Sequence, residues 1–121
     1  MAVSVTTQTA PYVDKLYVDT QANGTAEDAV SAGAATIYIV DIDNSNNSSA
    51  VYAKLFDHAA PTEGTTEPTL ILKAPTQTRQ VVTISEGSYF ATNLSFMCVT
   101  GRETANTTSP PNNVTIRLMA E

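Results

Sequence analysis

Few residues of this chain combine into a pattern that could catalyse a reaction. His58 is the single histidine and follows Asp57, a pair of residue types that serves in Ser-His-Asp hydrolases. Adjacent residues on a strand point to opposite faces, and no Gly-x-Ser-x-Gly elbow accompanies the pair. We therefore expect a histidine at a strand end or in a loop, without a catalytic role.

One acidic segment has the alternation of a cation site. Asp41-x-Asp43-x-Ser45-x-Asn47 spaces oxygen ligands as calcium loops do, but the sixth position is not glycine and the twelfth is Tyr52 instead of glutamate. Asp and Asn at a strand end also cap turns, and this interpretation is favoured. Because the chain has one cysteine and one histidine, a structural zinc site is excluded. The sequence thus predicts no metal and no cofactor.

The remaining candidates for chemistry are carboxylates and one thiol. Glu63, Glu67 and Glu86 fall in predicted loops, where a pair could flank a sugar. Glycosidase pairs need a cleft and stacking aromatics, whereas this chain has no Trp and only 7% aromatic residues. Cys98 lies on the same strand face as Leu94, and this position predicts a buried free thiol. We expect a protein that is not an enzyme.

Composition indicates a single all-β domain. The 121 residues suffice for one hydrophobic core, and 42% of them are apolar while only 15% are charged. Thr, Ser and Asn fill the polar share and favour strands and turns over helix interiors. The net charge is −6 and the six basic residues are scattered. This distribution argues against nucleic-acid binding and against a polybasic membrane anchor.

Runs of β-branched residues predict an antiparallel β-sandwich of seven to eight strands, immunoglobulin-like or jelly-roll-like, with little or no helix. We assign residues 35–121 to its core, and residues 1–34 to an amino-terminal arm or to its first strands. In the run after residue 35, Tyr38, Val40 and Ile42 are predicted on one face, opposite Ile37 and Ile39. The predicted core strands are residues 36–43, 51–57, 69–73, 79–85, 89–100 (divided at Asn93) and 114–118.

A loop sequence occurs twice in this core. Thr62-Glu63-Gly64-Thr65-Thr66-Glu67-Pro68 returns as Thr104-Ala105-Asn106-Thr107-Thr108-Ser109-Pro110. Each copy lies between two strand-forming runs and has turn chemistry. If every strand reverses the previous one, the copies lie at opposite ends of the sandwich. The repeat therefore predicts two connectors and no joint site.

The run Val51–Asp57 with the loop to Pro68 and the segment Leu70–Pro75, and Phe90–Ser95 with Asn106–Pro110, resemble small β-sandwich virion proteins of tailed bacteriophages. The resemblance covers roughly residues 34–119, and no catalytic residue carries over. It implies a non-enzymatic virion structural protein, foremost a capsid decoration (cement) protein that stabilises the phage head. A neck, tail or fibre component is the alternative. From another class, a sugar-binding adhesin-type β-sandwich domain remains open.

The resemblance also implies partners and a location. The partners would be the major capsid protein or other virion proteins, with a homo-oligomer, foremost a trimer, at capsid junctions. Without a visible signal peptide we expect assembly in the host cytoplasm and a final place in the virion. The candidate interface residues are Tyr12, Leu16, Tyr17, Val18, Tyr52 and Phe56. The amino-terminal segment that contains the first four could dock by strand addition or simply supply the first strands of its own sandwich.

Overall fold

The computed structural model describes residues 13–121, and all regular structure in that range is β-strand. None of the described residues forms a helix of the length and apolarity needed to cross a bilayer. The prediction of an antiparallel sandwich with seven to eight strands is confirmed. The strands are β1 (Lys15–Ala22), β2 (Ala35–Asp43), β3 (Val51–Asp57), β4 (Leu70–Ala74), β5 (Arg79–Phe90), β6 (Leu94–Val99) and β7 (Val114–Ala120).

The strands form a four-stranded sheet in the order β1-β7-β2-β5 and a three-stranded sheet in the order β4-β3-β6. All the pairings are antiparallel. Constant-type immunoglobulin domains also divide four and three, but their last strand belongs to the three-stranded sheet. Here β7 lies between β1 and β2. The amino-terminal β1 is therefore an edge strand of the sandwich.

The core lies between the two sheets and follows the period of two. Val114, Ile116 and Leu118 of β7 are fully buried and alternate with half-buried residues. Leu94 and Cys98 of β6 reach the same core from the opposite sheet. Burying a branched aliphatic side chain of this size stabilises the fold by about 2 kcal/mol. One face of β7 is therefore buried in the core, and the other face points away from it.

The predicted faces of β2 are wrong at its first half, because a β-bulge changes the period. Ile37 pairs with Ala120 while Ile39 pairs with Met119, so Tyr38 is an extra residue against β7. Ile37 consequently joins Val40 and Ile42 in the core, and Tyr38 does not.

Two predicted strand boundaries are also wrong. β5 does not end at Ser85 but continues past Gly87 to Phe90, with a shift of register where it passes the bulge of β2. Gly87 has a φ of 77°, and a Cβ there would lie 2.9 Å from Cε1 of Tyr38. The strand predicted for residues 89–100 is two elements, since Phe90 ends β5 and Leu94 begins β6. The predicted division near Asn93 is confirmed.

An irregular segment, residues 23–31, covers the free edge of β6. The Cys98 amide donates to the carbonyl of Asn23 at 2.9 Å, and Glu27 forms a bridge with Phe96. Sandwich edges need such covering because exposed strand edges pair with other chains. The sequence of this segment is compatible with a helical turn or a short strand. The structure has the single antiparallel bridge between Glu27 and Phe96, which is closer to a strand.

The two Thr-Thr loops leave the three-stranded sheet at opposite ends, as predicted, because β3 and β6 are antiparallel neighbours. The two loops are nevertheless in contact, which their placement at opposite ends does not predict. A Cβ at Gly64 would lie 3.3 Å from Cγ2 of Thr107, so the loops meet. Strand direction fixes where a connection starts, whereas a loop of about a dozen residues can cross a whole sheet face. Lys54 of β3 is buried beneath the second loop.

Candidate interaction surface

The residues predicted as an interface do not lie on one surface. Leu16 and Val18 point outward from β1 and are 56% and 49% exposed. Tyr17 points the other way and packs against the core between the sheets. Tyr12 lies outside the described residues. Of the predicted residues that the structure describes, Leu16 and Val18 supply exposed apolar area on the outer side of the four-stranded sheet.

Tyr52 and Phe56 lie on the other sheet and have a different role. Both point outward from β3, where Phe56 packs against Met97 and Val99 and is only 2% exposed. Tyr52 is half-buried against the same cluster. β3 has apolar residues on both faces, so its outward face must also be covered by other residues. The cluster includes Ala26 of the segment that covers β6, so part of that cover comes from the same chain.

Strand register aligns apolar residues across the outer face of the four-stranded sheet. Leu16 lies opposite Met119, Met119 lies opposite Ile39, and Ile39 lies opposite Thr83. Met119 and Ile39 are half-buried within this row. One row further along, Val18 lies opposite Arg117, which lies opposite Asp41, which lies opposite Val81. We call this surface the outer face; its apolar members are Leu16, Val18, Ile39, Val81 and Met119.

The outer face carries one ion pair within the sheet, between Asp41 and Arg79. Arg79 donates from Nε to both carboxylate oxygens of Asp41, at 3.0 and 3.2 Å, and also from Nη2. Asp41 is only 5% exposed, and the register places Arg117 opposite it on β7. The outer face therefore presents exposed apolar side chains around an ion pair that is already satisfied. Such a surface favours burial against another protein over recognition of a charged small molecule.

Sequence reasoning missed Ile39, Val81 and Met119 as members of this surface. Met119 alternates with the core residues Leu118 and Ala120, so its outward direction follows from the β7 period. Ile39 does point away from the face of Val40 and Ile42, as predicted, because the bulge at Tyr38 reverses only the residues before it. The pairing order of the strands brings the members together, and that order has no local signal.

His58 and Asp57 do not form a catalytic pair. The carboxylate of Asp57 accepts the amides of Ala91 and Thr92 at 3.0 and 2.8 Å. These hydrogen bonds, with that of Thr92 the strongest contributor, lower the pKa of Asp57 below its usual value. His58 is exposed, and its Nδ1 accepts the amide of Ala60 at 2.9 Å. Asp57 thus caps the turn between β5 and β6.

The calcium-like segment is a turn with separate partners. Asp43 accepts the amide of Ser45 at 3.1 Å, which is an Asx turn. Asn47 is buried and donates to Oδ1 of Asn44, while the Asp41 carboxylate binds Arg79. Within residues 13–121 no cluster of three His, Cys, Asp or Glu side chains has the geometry to hold a metal ion. These residues support the turn interpretation.

Cys98 lies where its strand period placed it, buried between the sheets beside Leu94 and Phe96. Burial, followed by the nearby charge of Asp19, raises the pKa of the Cys98 thiol to about 12. A thiol with so high a pKa is protonated at neutral pH and is a poor nucleophile. Cys98 therefore acts as a small core residue.

The chain was compared with protein-family models, with curated protein sequences and with solved structures, and none of the three comparisons found a match. The outer face is consequently identified by its own geometry.

Proposed function

We propose that this protein is a non-enzymatic virion structural protein, a decoration (cement) protein that binds the outside of a bacteriophage capsid and stabilises the head. It acts by burying surface at junctions between subunits of the major capsid protein, and a trimer suits junctions with local three-fold symmetry. The outer face is the contact surface. We include in the same proposal that the protein is assembled in the host cytoplasm and is finally located on the virion.

The observation that carries the proposal is the exposed apolar outer face. Leu16, Val18 and Val81 are each close to half exposed on a sheet surface where strand register groups them. Exposed apolar side chains that are grouped on one sheet face are typical of a protein-interaction surface. The phage resemblance described above supports the choice of partner, because small sandwiches in such families serve as accessory proteins of the virion.

The size of the outer face favours binding in many copies. Four strands spaced about 4.8 Å apart and about seven residues long cover roughly 400 Å². A stable two-protein interface buries about 800 Å² on each partner, so this face alone supports only a weak single contact. A repeating shell offers many equivalent sites, and an oligomer that engages several of them gains avidity without new contacts. A decoration protein that is an oligomer would meet both conditions, because it binds a repeating shell and can engage several of its sites at once.

Co-sedimentation with capsids tests the proposal. Phage capsids assembled from a major capsid protein are mixed with the purified protein, and bound protein is measured in the pellet. Val18→Glu and Val81→Glu each place a charge on the outer face and are expected to lower binding at least tenfold. Ile71→Glu is the matched control, because Ile71 is 42% exposed on the other sheet. It should bind like the wild type.

Three results would contradict the proposal. If the wild-type protein stays in the supernatant at all capsid concentrations, decoration is refuted, and binding to isolated tails or fibres would then favour the neck, tail or fibre alternative. If Ile71→Glu loses binding while Val18→Glu keeps it, the contact surface is on the other sheet. Genes for metabolic enzymes on both sides of this gene would argue against the virion class altogether.

The adhesin alternative has one observation in its favour. Tyr89, near the end of β5, is 66% exposed, and an exposed aromatic ring can stack on a sugar. Binding to a glycan array that is lost in Tyr89→Ala would support that class. Glycan binding without any capsid binding would replace the decoration proposal.

A further inference from the structure

A cleft of about 360 Å³ opens along the edge of the sandwich where β1 faces β6. Its apolar lining includes Tyr17 from β1, Phe96 from β6 and Val30 from the covering segment. Two carboxylates, those of Asp19 and Glu27, line the same cleft. The cleft adjoins the outer face, because Leu16 and Val18 of β1 belong to both.

One carboxylate oxygen of Asp19 is buried and lacks a donor. Oδ1 of Asp19 accepts the amide of Gln21 at 2.9 Å, whereas Oδ2 finds no hydrogen-bond partner among the described residues. Burying a carboxylate oxygen without a donor is costly, because the oxygen loses water and gains nothing. Asp19 also lies near the core, because its charge contributes, after burial, to the raised pKa of the Cys98 thiol. Asp19 thus places at the cleft a carboxylate whose Oδ2 has no hydrogen-bond donor among the described residues.

We propose that this cleft receives one arginine or lysine side chain from an extended segment of the partner, which lies along the exposed edge of β1. The long apolar stem of such a side chain packs on Tyr17, Val30 and Phe96. Its cationic end donates to Asp19 and Glu27.

The lining selects a basic side chain over the other classes. A purely apolar side chain would leave Oδ2 of Asp19 without a donor, and an acidic one would be repelled by both carboxylates. Basic side chains combine a long apolar stem with a charged end, which matches apolar walls that carry two acidic groups. A net charge of −6 on the whole chain favours the approach of the same kind of partner.

This inference deepens the proposed function, since it states the chemistry of the capsid segment that would pair beside the outer face. The binding of a basic side chain in the cleft can be tested on the purified protein, without capsids. The probe is butylguanidinium, which has an apolar stem and a cationic end, and the control is neutral butylurea of similar size. Both are titrated into the full-length ¹⁵N-labelled protein, and backbone amide shifts are recorded by NMR.

We expect saturable shifts with butylguanidinium at the amides of Tyr17, Asp19, Glu27, Val30 and Phe96. Butylurea at equal concentration should give shifts at least fivefold smaller. Asp19→Asn keeps the side-chain oxygen that accepts from Gln21 and should abolish the preference for the cation, and Glu27→Gln should reduce it. Asp28→Asn removes the same charge at an exposed neighbour that does not line the cleft, and it should change nothing.

Equal shifts with the two probes, or an undiminished preference in both Asp19→Asn and Glu27→Gln, would overturn the proposal. Binding that appears only after deletion of residues 2–12 would also overturn it, because the occupant would then be the chain's own segment. A dimer in light scattering that Asp19→Asn dissociates would assign the cleft to a second copy. Probe binding without capsid binding would refute the decoration function alone, and the reverse result would refute only the cleft proposal.

Discussion

Replacing Lys54 should release the second Thr-Thr loop from the face of the three-stranded sheet. Lys54 is 1% exposed, although it is a lysine in the middle of a β-strand. Its Nζ donates to the carbonyl of Asn106 at 2.9 Å and also to that of Glu103. The ammonium thus holds both ends of a turn in the loop. Lys54→Met keeps the length of the side chain and removes these two hydrogen bonds.

The size of the effect follows from the two bonds and their cost. Each hydrogen bond from a charged donor contributes about 1.5–3 kcal/mol, but taking an ammonium out of water offsets a large part. A net loss of about 2 kcal/mol in the free energy of opening the loop corresponds to about a 30-fold larger open population. Global stability should change less, because the stem of methionine still fills the space over the sheet.

Trypsin reports the opening directly, since the exposed Arg102 lies in this loop. Cleavage after Arg102, followed by mass spectrometry at low protease concentration, should be about 30-fold faster in Lys54→Met, because proteolysis then tracks the open population. Lys73→Met removes the same charge from an exposed position on β4 and is the control. Equal cleavage rates in the two variants would refute the role assigned to Lys54.

The pH dependence of stability gives an independent check of the same burial. Burial lowers the pKa of Lys54 from its ordinary value of 10.5, although Glu103 acts in the opposite direction. The unfolded chain therefore holds this proton more tightly than the folded one. Stability should rise with pH from the folded pKa up to about 10.5, and this rise should be missing in Lys54→Met. A parallel pH profile in wild type and variant would contradict it.

Three further predictions concern the fold that presents the outer face. Gly87→Ala should lower the free energy of unfolding by about 2–4 kcal/mol, because φ is positive there and the new Cβ would clash with Thr36 and Tyr38. Gly33→Ala should cost less in thermal melts, because φ is also positive at Gly33 but the space around it is open. Asp57→Ala should cost about 1 kcal/mol above pH 5, since hydrogen bonds depress the pKa of Asp57, and the difference from wild type in urea titrations should vanish as pH falls through the folded pKa. Cys98, with a pKa of about 12, should resist iodoacetamide in the native protein at pH 8 and react after unfolding in urea; rapid native labelling would show that it is not buried.

Local patterns were sufficient to predict the sandwich and most strands. The alternation of β7 identified Val114, Ile116 and Leu118 as core because nothing interrupts its period. The bulge at Tyr38 is different, since it depends on how β2 pairs with β5 and β7 at once. No local signal in the sequence marks that pairing, and one inserted residue reverses every side chain on one side of it.

The candidate surface was only half predictable for related reasons. Leu16 and Val18 stand out as apolar residues on a terminal strand, and they remain exposed. Phe56 has the same local signal, but it is covered by residues far away in the chain, which no pattern around it reveals. The second Thr-Thr loop is likewise bound by Lys54, and no pattern in β3 indicates that the charge of this lysine is buried.

A cryo-electron microscopy reconstruction of capsids saturated with the protein would test the central claim most directly. The account predicts density for the sandwich at capsid junctions, with the β1-β7-β2-β5 sheet toward the capsid and Leu16, Val18 and Val81 buried in the contact. Bare junctions at saturating protein, or a sandwich bound through the Thr-Thr loops with the outer face toward solvent, would contradict it.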